Sequence, residues 1–398
     1  MINKVLFVHN YYGSASPSGE NQVFEAEANL VAAQGVCVER FVKSSDSIRQ
    51  MGAVGALIGA LSTPWNPFSA AEIRKKALQF RPDVVHVHNT FPLISPSIFT
   101  ALRGICARVL TLHNYRLFCS AAIPMRGGEV CIECIEKRSS LPSLRYGCYR
   151  GSRLATLPLA ANIGLSRALK IWQNDVDAFV VLSEFQRDLV VAAGLPEKKV
   201  YVKPNFYPGC PSVVQWGERG NYAVFVGRLT PEKGVDILLD SWKSLIGRCK
   251  VELRVIGSGP LLEHLKHKAV GLPITFMGQL SSEDAQRQIA SAKLLILPSI
   301  CYEGFPMVVR EAYAFGTPVA ASDLGPLSSI VKNNISGVLF RAGDFSDICE
   351  KISQILRDDE TLKKLSSGAR EEFEKFYTEE NNWGLLRSIY EASCSDVK

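Results

Sequence analysis
The chain has no hydrophobic run long enough to cross a bilayer. Its most apolar stretch, Met51 to Leu61 (MGAVGALIGAL), is about half of the roughly 20 residues a spanning helix needs. It is expected to be a buried helix, with a membrane-contacting element as the alternative. Runs of Lys or Arg, low-complexity tracts and repeats of solenoid period are also lacking, which argues against a nucleic-acid-binding tail, disorder or a repeat architecture. The opening residues, Met1 to His9 (MINKVLFVH), lack a long apolar core with a small-residue cleavage site. They are expected to form a first strand, and the protein to stay in the cytoplasm. In that setting, 11 cysteines point to reduced thiols, metal ligands or core filling before disulfides.

What is present is ordinary for a globular protein: 398 residues, 47% hydrophobic and 21% charged, with 30 Gly and 20 Pro. That length allows two or three domains, each able to bury its own core. The formal net charge is +6, and the excess lies in residues 1–205, which hold 23 basic and 15 acidic side chains. A diffuse surplus of this kind suits anionic lipid or polyphosphate.

Short apolar runs alternate with helical patterns. Val5–His9, Val36–Val42, Val84–Val87, Val109–Leu112, Ala178–Leu182 and Val200–Lys203 form one set. Ala223–Val226, Glu252–Ile256, Ile274–Met277, Leu294–Leu297, Pro318–Ala321 and Val338–Phe340 form another. Alternation of this sort makes parallel sheets covered by helices on both faces, so the expected fold is α/β, with two doubly wound Rossmann-like domains. Pro204, Pro208, Gly209 and Pro211 break the pattern between the sets. The expected divisions are residues 1–205, residues 206–378, and a C-terminal helix over 379–398 that crosses back to the first domain. Ligands of such sheets bind beyond the carboxyl ends of the strands, which makes a cleft between the domains the expected site.

The strongest chemical pattern is Pro298-Ser-Ile-Cys-Tyr-Glu303-Gly304-Phe305-Pro306-Met-Val-Val-Arg-Glu311. It follows an apolar strand and enters a helix. A helix N-terminus with two carboxylates can cradle phosphate at its positive end while a carboxylate grips ribose hydroxyls. Upstream, Gly227-Arg228-Leu229-Thr-Pro-Glu-Lys233-Gly234 follows another strand and offers two cations to a diphosphate.

These residues resemble the signature of the family 4 retaining glycosyltransferases of the GT-B fold, and the resemblance covers nearly the whole chain. It implies that Arg228 and Lys233 hold a donor diphosphate, that Glu303 faces donor sugar and phosphates, and that Glu311 binds the ribose. Leu112-His113-Asn114 resembles the strand end carrying the family's cleft-facing histidine, so His113 would touch the transferred sugar. Lys203-Pro204-Asn205 resembles the interdomain entry motif, and Gly257-Ser-Gly259-Pro260 the loop beside the base. Where the family commonly has Gly-Gly after the first strand, this chain has Ser18-Gly19. Gly227, Gly304, Phe305 and Pro306 complete the donor-binding set.

The resemblance implies a transfer with retention from a nucleoside diphosphate sugar, without a required cofactor or catalytic metal. The acceptor would be a glycan or lipid-linked intermediate of envelope polysaccharide or lipopolysaccharide assembly, with peripheral contact at the cytoplasmic face of the inner membrane and no role for nucleic acid. A nucleotide-sugar epimerase or a phosphorylase on the same fold is the alternative enzyme reading, and a zinc-bearing nucleic-acid-binding protein the alternative of another class.

Other clusters remain open. Cys119, Cys131, Cys134 and Cys148 lie in a Cys-rich insertion over about 115–153; structural zinc, unligated thiols or a redox pair would each suit them. Arg145, Arg150 and Arg153 stand near a prospective phosphate-bearing acceptor or form a solvated basic face. His86 and His88 share one face of their strand, without an apparent third metal ligand, and are expected to be polar lining. Asp175-Val-Asp177 is expected to be a turn. Glu371 to Ser393 is expected to be helical.

Overall fold
A computed structural model describes residues 2–13, 18–245, 247 and 250–395. The chain divides into two compact units. Unit 1 holds Met1–Pro124, Ile132–Pro204 and Asn382–Lys398, and unit 2 holds Met125–Cys131 and Asn205–Asn381. The chain therefore leaves unit 1 after Pro204 and returns to it at Asn382.

Strands β1 (Lys4–Tyr11), β2 (Cys37–Ser44), β3 (Val84–Val87) and β4 (Ala107–Thr111) belong to unit 1. The hairpin β5 (Met125–Arg126) and β6 (Glu129–Val130) follows. Strands β7 (Ala178–Val181) and β8 (Val200–Val202) complete a parallel sheet of order β2-β1-β3-β4-β7-β8. Its central strands are buried on both sides. Leu6, Val8, Val85 and Val87 enter one core cluster, and Val5, Phe7, Val84 and Val109 the other, which also takes Leu386, Ile389 and Tyr390 from the C-terminal helix. A strand with two buried faces must be apolar throughout, which is why these runs do not alternate.

Unit 2 repeats the design with β9 (Tyr222–Val226), β10 (Glu252–Ile256), β11 (Ile274–Gly278), β12 (Leu294–Leu297), β13 (Val319–Ser322) and β14 (Gly337–Phe340). The order is β11-β10-β9-β12-β13-β14, all parallel. Both units are Rossmann-like, and every strand read from the sequence forms. Their order reverses between β1 and β3 in unit 1 and between β9 and β12 in unit 2, the switch points where such sheets bind ligands.

Three expectations need correcting. The helix Gly52–Ser62 is not buried: only Gly55 and Gly59 are, while Val54, Leu57 and Leu61 are exposed. A Cβ on Gly55 would stand 1.7 Å from the Ile48 carbonyl oxygen, so the helix docks on its glycines and turns its aliphatic side chains outward. The Glu371–Ser393 segment is not one helix, since Asp359–Phe376 ends before Tyr377 and Glu379–Ser395 begins anew. Asp175 and Asp177 do more than turn the chain. Asp175 pairs with Arg103, and Asp177 with the buried Arg108 at 2.9 Å. Among the described residues no helix is long and apolar enough to cross a membrane.

Candidate functional site
In unit 2 the loops after β9, β10 and β12 interlock because glycine occupies their contact points. A Cβ on Gly234 (φ +68°) would lie 1.9 Å from the Pro298 carbonyl oxygen, and one on Gly257 (φ +136°) 1.9 Å from that of Gly227. Only glycine permits both the backbone conformation and the approach. This packing brings Lys233 to the loop before helix Met307–Ala314, where its Nζ donates to Glu303 Oε1 and Oε2 at 2.6 and 2.8 Å. Ser299 Oγ donates to the same carboxylate at 2.6 Å. Burial would push Glu303 up, but the Lys233 charge and these hydrogen bonds hold it below the ordinary carboxylate range. The Arg228 side chain is 64% exposed, its Nη2 3.3 Å from Glu232 Oε1, which also accepts from Thr230 Oγ1 at 2.7 Å. Two cations and an ionised carboxylate thus gather at the switch point.

Glu311 sits one turn inside the helix, buried, and burial pushes its carboxyl up to about 7 against the pull of Arg310. It accepts no hydrogen bond among the described residues. Its acceptor capacity is available to hydroxyl donors. Phe305 is buried with its ring 5.8 Å from that of Tyr377. Asn205 Nδ2 approaches Met307 Sδ at 3.6 Å, and its Oδ1 is buried without a partner. These contacts fix the chain on either side of Gly304 and Pro306.

Unit 1 gathers a different set. His113, just beyond β4, stacks on His88 with 5.1 Å between centroids, and His113 Nε2 lies 2.9 Å from His88 Nδ1. His88 Nε2 faces Glu27 Oε1 at 3.5 Å, while Glu27 Oε2 accepts from Lys203 Nζ at 2.6 Å. In the His88–His113 contact one ring nitrogen donates and the other accepts. Burial, with His88 and His9 nearby, holds His113 well below the usual histidine range, so it is neutral. Glu27 is also fully buried, and Lys203 overcomes the cost of burial to keep it ionised. His86 bridges Tyr390 OH (2.7 Å) and Thr111 Oγ1 (2.8 Å). Beside His113, Asn114 Nδ2 donates to Glu20 Oε1 at 3.2 Å; burial pushes Glu20 up to about 7 against the opposing pull of Tyr12 and Arg116.

Residues 211–372 match the family described as glycosyl transferases group 1, and residues 55–208 match glycosyltransferase family 4. The chain belongs to glycosyltransferase family 4. This family 4 member is 24% identical over 331 residues to a sulfoquinovosyl transferase of Arabidopsis thaliana, a match covering 79% of the chain and 57% of that protein. It is 30% identical over 183 residues to a phosphatidyl-myo-inositol mannosyltransferase of Mycobacterium leprae, covering 45% and 47%. The chain thus spans about half the length of these curated relatives. Its fold is similar to HepE of Anabaena, solved in complex with UDP, with a TM-score of 0.66 at 16% identity over 98% of this chain and 100% of that one. Sucrose-phosphate synthase of Thermosynechococcus elongatus gives 0.67 at 16%, over 99% and 100%. These likenesses carry the GT-B fold.

Within this family 4 member, Arg228, Lys233, Glu303 and the glycines at 227, 257 and 304 belong to unit 2, whereas His113 belongs to unit 1. Gly19 opens the helix Gly19–Ala33, and the preceding residues 14–17 lie outside the described residues. Of the four cysteines, Cys119, Cys134 and Cys148 belong to unit 1 and Cys131 to unit 2; among the described residues no group of three potential metal ligands includes them, and burial raises the Cys119 thiol to about 12.

His86 and His88 do have a third potential ligand, Glu27, but a metal fits poorly there. Both His86 nitrogens have partners, and Lys203 already supplies the positive charge. Glu27 and Tyr390 were missed by motif reading, and Lys203 was read only as part of the Lys203-Pro204-Asn205 entry motif. One signal was available: Glu27 falls at helical spacing among Val23, Phe24, Ala28 and Val31, a carboxylate on an apolar face.

Proposed function
We propose that the protein is a retaining glycosyltransferase that moves a sugar from a nucleoside diphosphate sugar to an acceptor hydroxyl in the assembly of an envelope polysaccharide or glycolipid. The observation that carries this reading is the Lys233–Glu303–Ser299 cluster with Arg228 at the switch point of unit 2. Diphosphate charge would be met by Arg228 and Lys233, on loops that the glycines at 234 and 257 lock against their neighbours. Glu311 would accept from the ribose hydroxyls, and Glu303 would orient Lys233 while facing the sugar. In unit 1, neutral His113 would hydrogen-bond a hydroxyl of the transferred sugar.

In the transfer, the bond from the anomeric carbon to the phosphate oxygen breaks and the bond to the acceptor oxygen forms on the same face. The acceptor proton passes to the departing diphosphate. Negative charge grows on that diphosphate, so the cations bind the transition state more strongly than the ground state. HepE, solved with UDP and with UDP-glucose, supports a uridine donor. The relative named as a phosphatidyl-myo-inositol mannosyltransferase supports a lipid acceptor.

The test is a thermal-shift panel of UDP, GDP, ADP and CMP, each with and without EDTA. A ligand that binds only the folded state raises Tm. One diphosphate should do so irrespective of EDTA, and failure of all four would overturn the donor assignment. Turnover should then fall by roughly two to three orders of magnitude in Lys233→Ala or Glu303→Ala, with the fold intact. Full activity would remove that residue from the site.

A further inference from the structure
We infer that unit 1 takes its acceptor as a single phosphate-bearing lipid, with the chain in the groove between helices Gly52–Ser62 and Arg153–Ala168 and the phosphate against Arg49, Arg116 and Arg150. The groove encloses about 700 Å³, within the range of small-molecule sites. Gly52, Ala56, Leu57 and Ala60 form one wall and Leu154 and Pro158 the other. Burying a helix on glycine while its leucines face water loses the ordinary gain of folding. Leu57 is 59% exposed and Leu154 82%. Such surfaces are explained by a partner that covers them, and here the covering group must be apolar along the helices.

Charge fixes the other end. Among the described residues the groove lining contains three arginines and no Asp or Glu; Asp46 stands beside Arg49 and Glu20 beside Arg116, so the lining keeps a surplus of positive charge that favours an anion. Arg116 is held with its guanidinium 4.4 Å from the Phe91 ring centre, and its Nε is buried without a hydrogen-bond partner among the described residues. Arg150 lies 5.2 Å over the Tyr149 ring. Guanidinium groups oriented by aromatic faces are suited to phosphate oxygens, which they can grip through paired N–H groups. The groove also runs into the small cavity containing His113, Glu20 and Asn114, because Thr63, Phe91, Arg116 and Leu159 line both. An amphiphile held phosphate-inward would therefore present its head group beside His113. A concave groove ending at a functional side chain fits one lipid molecule better than a flat membrane surface.

The lipid's role as acceptor rests on the transferase reading; its binding does not. The experiment measures binding of farnesyl phosphate below its aggregation threshold, against farnesol and inorganic phosphate, on the full chain, with UDP binding measured in parallel. Farnesyl phosphate should bind at least roughly tenfold more tightly than either fragment, and Arg150→Ala should weaken it by a similar factor. Leu57→Glu and Leu154→Asp, both at exposed positions, should abolish it while leaving the UDP shift intact; that shift also certifies folding.

Farnesyl phosphate no tighter than the fragments, with UDP still bound, overturns the groove and leaves the transferase. Tight farnesyl phosphate without any nucleotide binding upholds the groove and overturns the transferase. Binding to vesicles of 70% phosphatidylcholine and 30% phosphatidylglycerol, but not to monomeric farnesyl phosphate, overturns the single-lipid assignment in favour of a surface contact.

Discussion
The two units share a sheet architecture and differ in how they hold charge. In unit 1 the ionic centre is sealed: Glu27 and Lys203 are 0% and 1% exposed, surrounded by histidines that burial keeps neutral. In unit 2 the ion pair opens toward solvent, with Lys233 and Glu303 side chains 20% and 13% exposed and Arg228 mostly free of burial. A sealed pair is costly to desolvate and very costly to break, so it acts as structure. An open pair can exchange partners, so it can receive a ligand.

The sharpest break of this contrast is Lys203→Met against Lys233→Met. Loss of Lys203 leaves Glu27 buried with no counter-charge and should destabilise unit 1 by about 3–5 kcal/mol. Loss of Lys233 should cost less stability than loss of Lys203, because Glu303 keeps Ser299 as a donor and stands partly open to solvent, while removing most turnover. Urea unfolding combined with a turnover assay separates the two, and equal destabilisation would refute the distinction.

Acid should act on the same side. His9 is held down at about 4, by burial first, and His86 and His113 are also depressed. The native state therefore binds fewer protons than the unfolded chain below the unfolded histidine value of about 6.5. Stability from these groups is complete above that pH and is lost as pH falls toward 4, by about 1.4 kcal/mol per histidine per pH unit. Hydrogen exchange at pH 7.5 and 5.5 should show protection falling in β1, β3 and β4 before β9, β10 and β12. Uniform loss would contradict the assignment.

A smaller effect concerns the nucleotide. Glu311 ionises at about 7, and only its ionised form is a pure acceptor for ribose hydroxyls. UDP affinity should rise several-fold from pH 6 to pH 8, beyond what ionisation of the phosphate supplies, and Glu311→Gln should remove that excess. Identical pH profiles would free Glu311 from the ribose role. Least of all, Leu57→Glu should change stability by no more than about 0.5 kcal/mol, as judged by thermal unfolding, because its side chain buries little in the folded protein. A large loss would mean that the helix depends on its aliphatic side.

Much of this was legible in the residues. Doubly buried strands such as Val84–Val87 and Leu294–Leu297 declare themselves because apolar runs of that length have few other uses, and Glu303 with Glu311 and Arg228 with Lys233 sit at fixed local spacing. The buried network was not legible, since Glu27, Lys203 and Tyr390 meet across separations of 176 residues and more. The orientation of Gly52–Ser62 was hidden for another reason. A helix apolar on nearly every side has no period to reveal its inner face, and the face is chosen by Ile48 meeting Gly55.

The sequence alone therefore determined the α/β class and, in chain order, the strands of the two parallel sheets, because short-range pattern and local spacing suffice for these. Tertiary structure alone decided which charges are sealed and which open, and which face of a uniformly apolar helix meets water. Burial and long-range contact exist only once the chain has closed on itself, and those quantities set the energies.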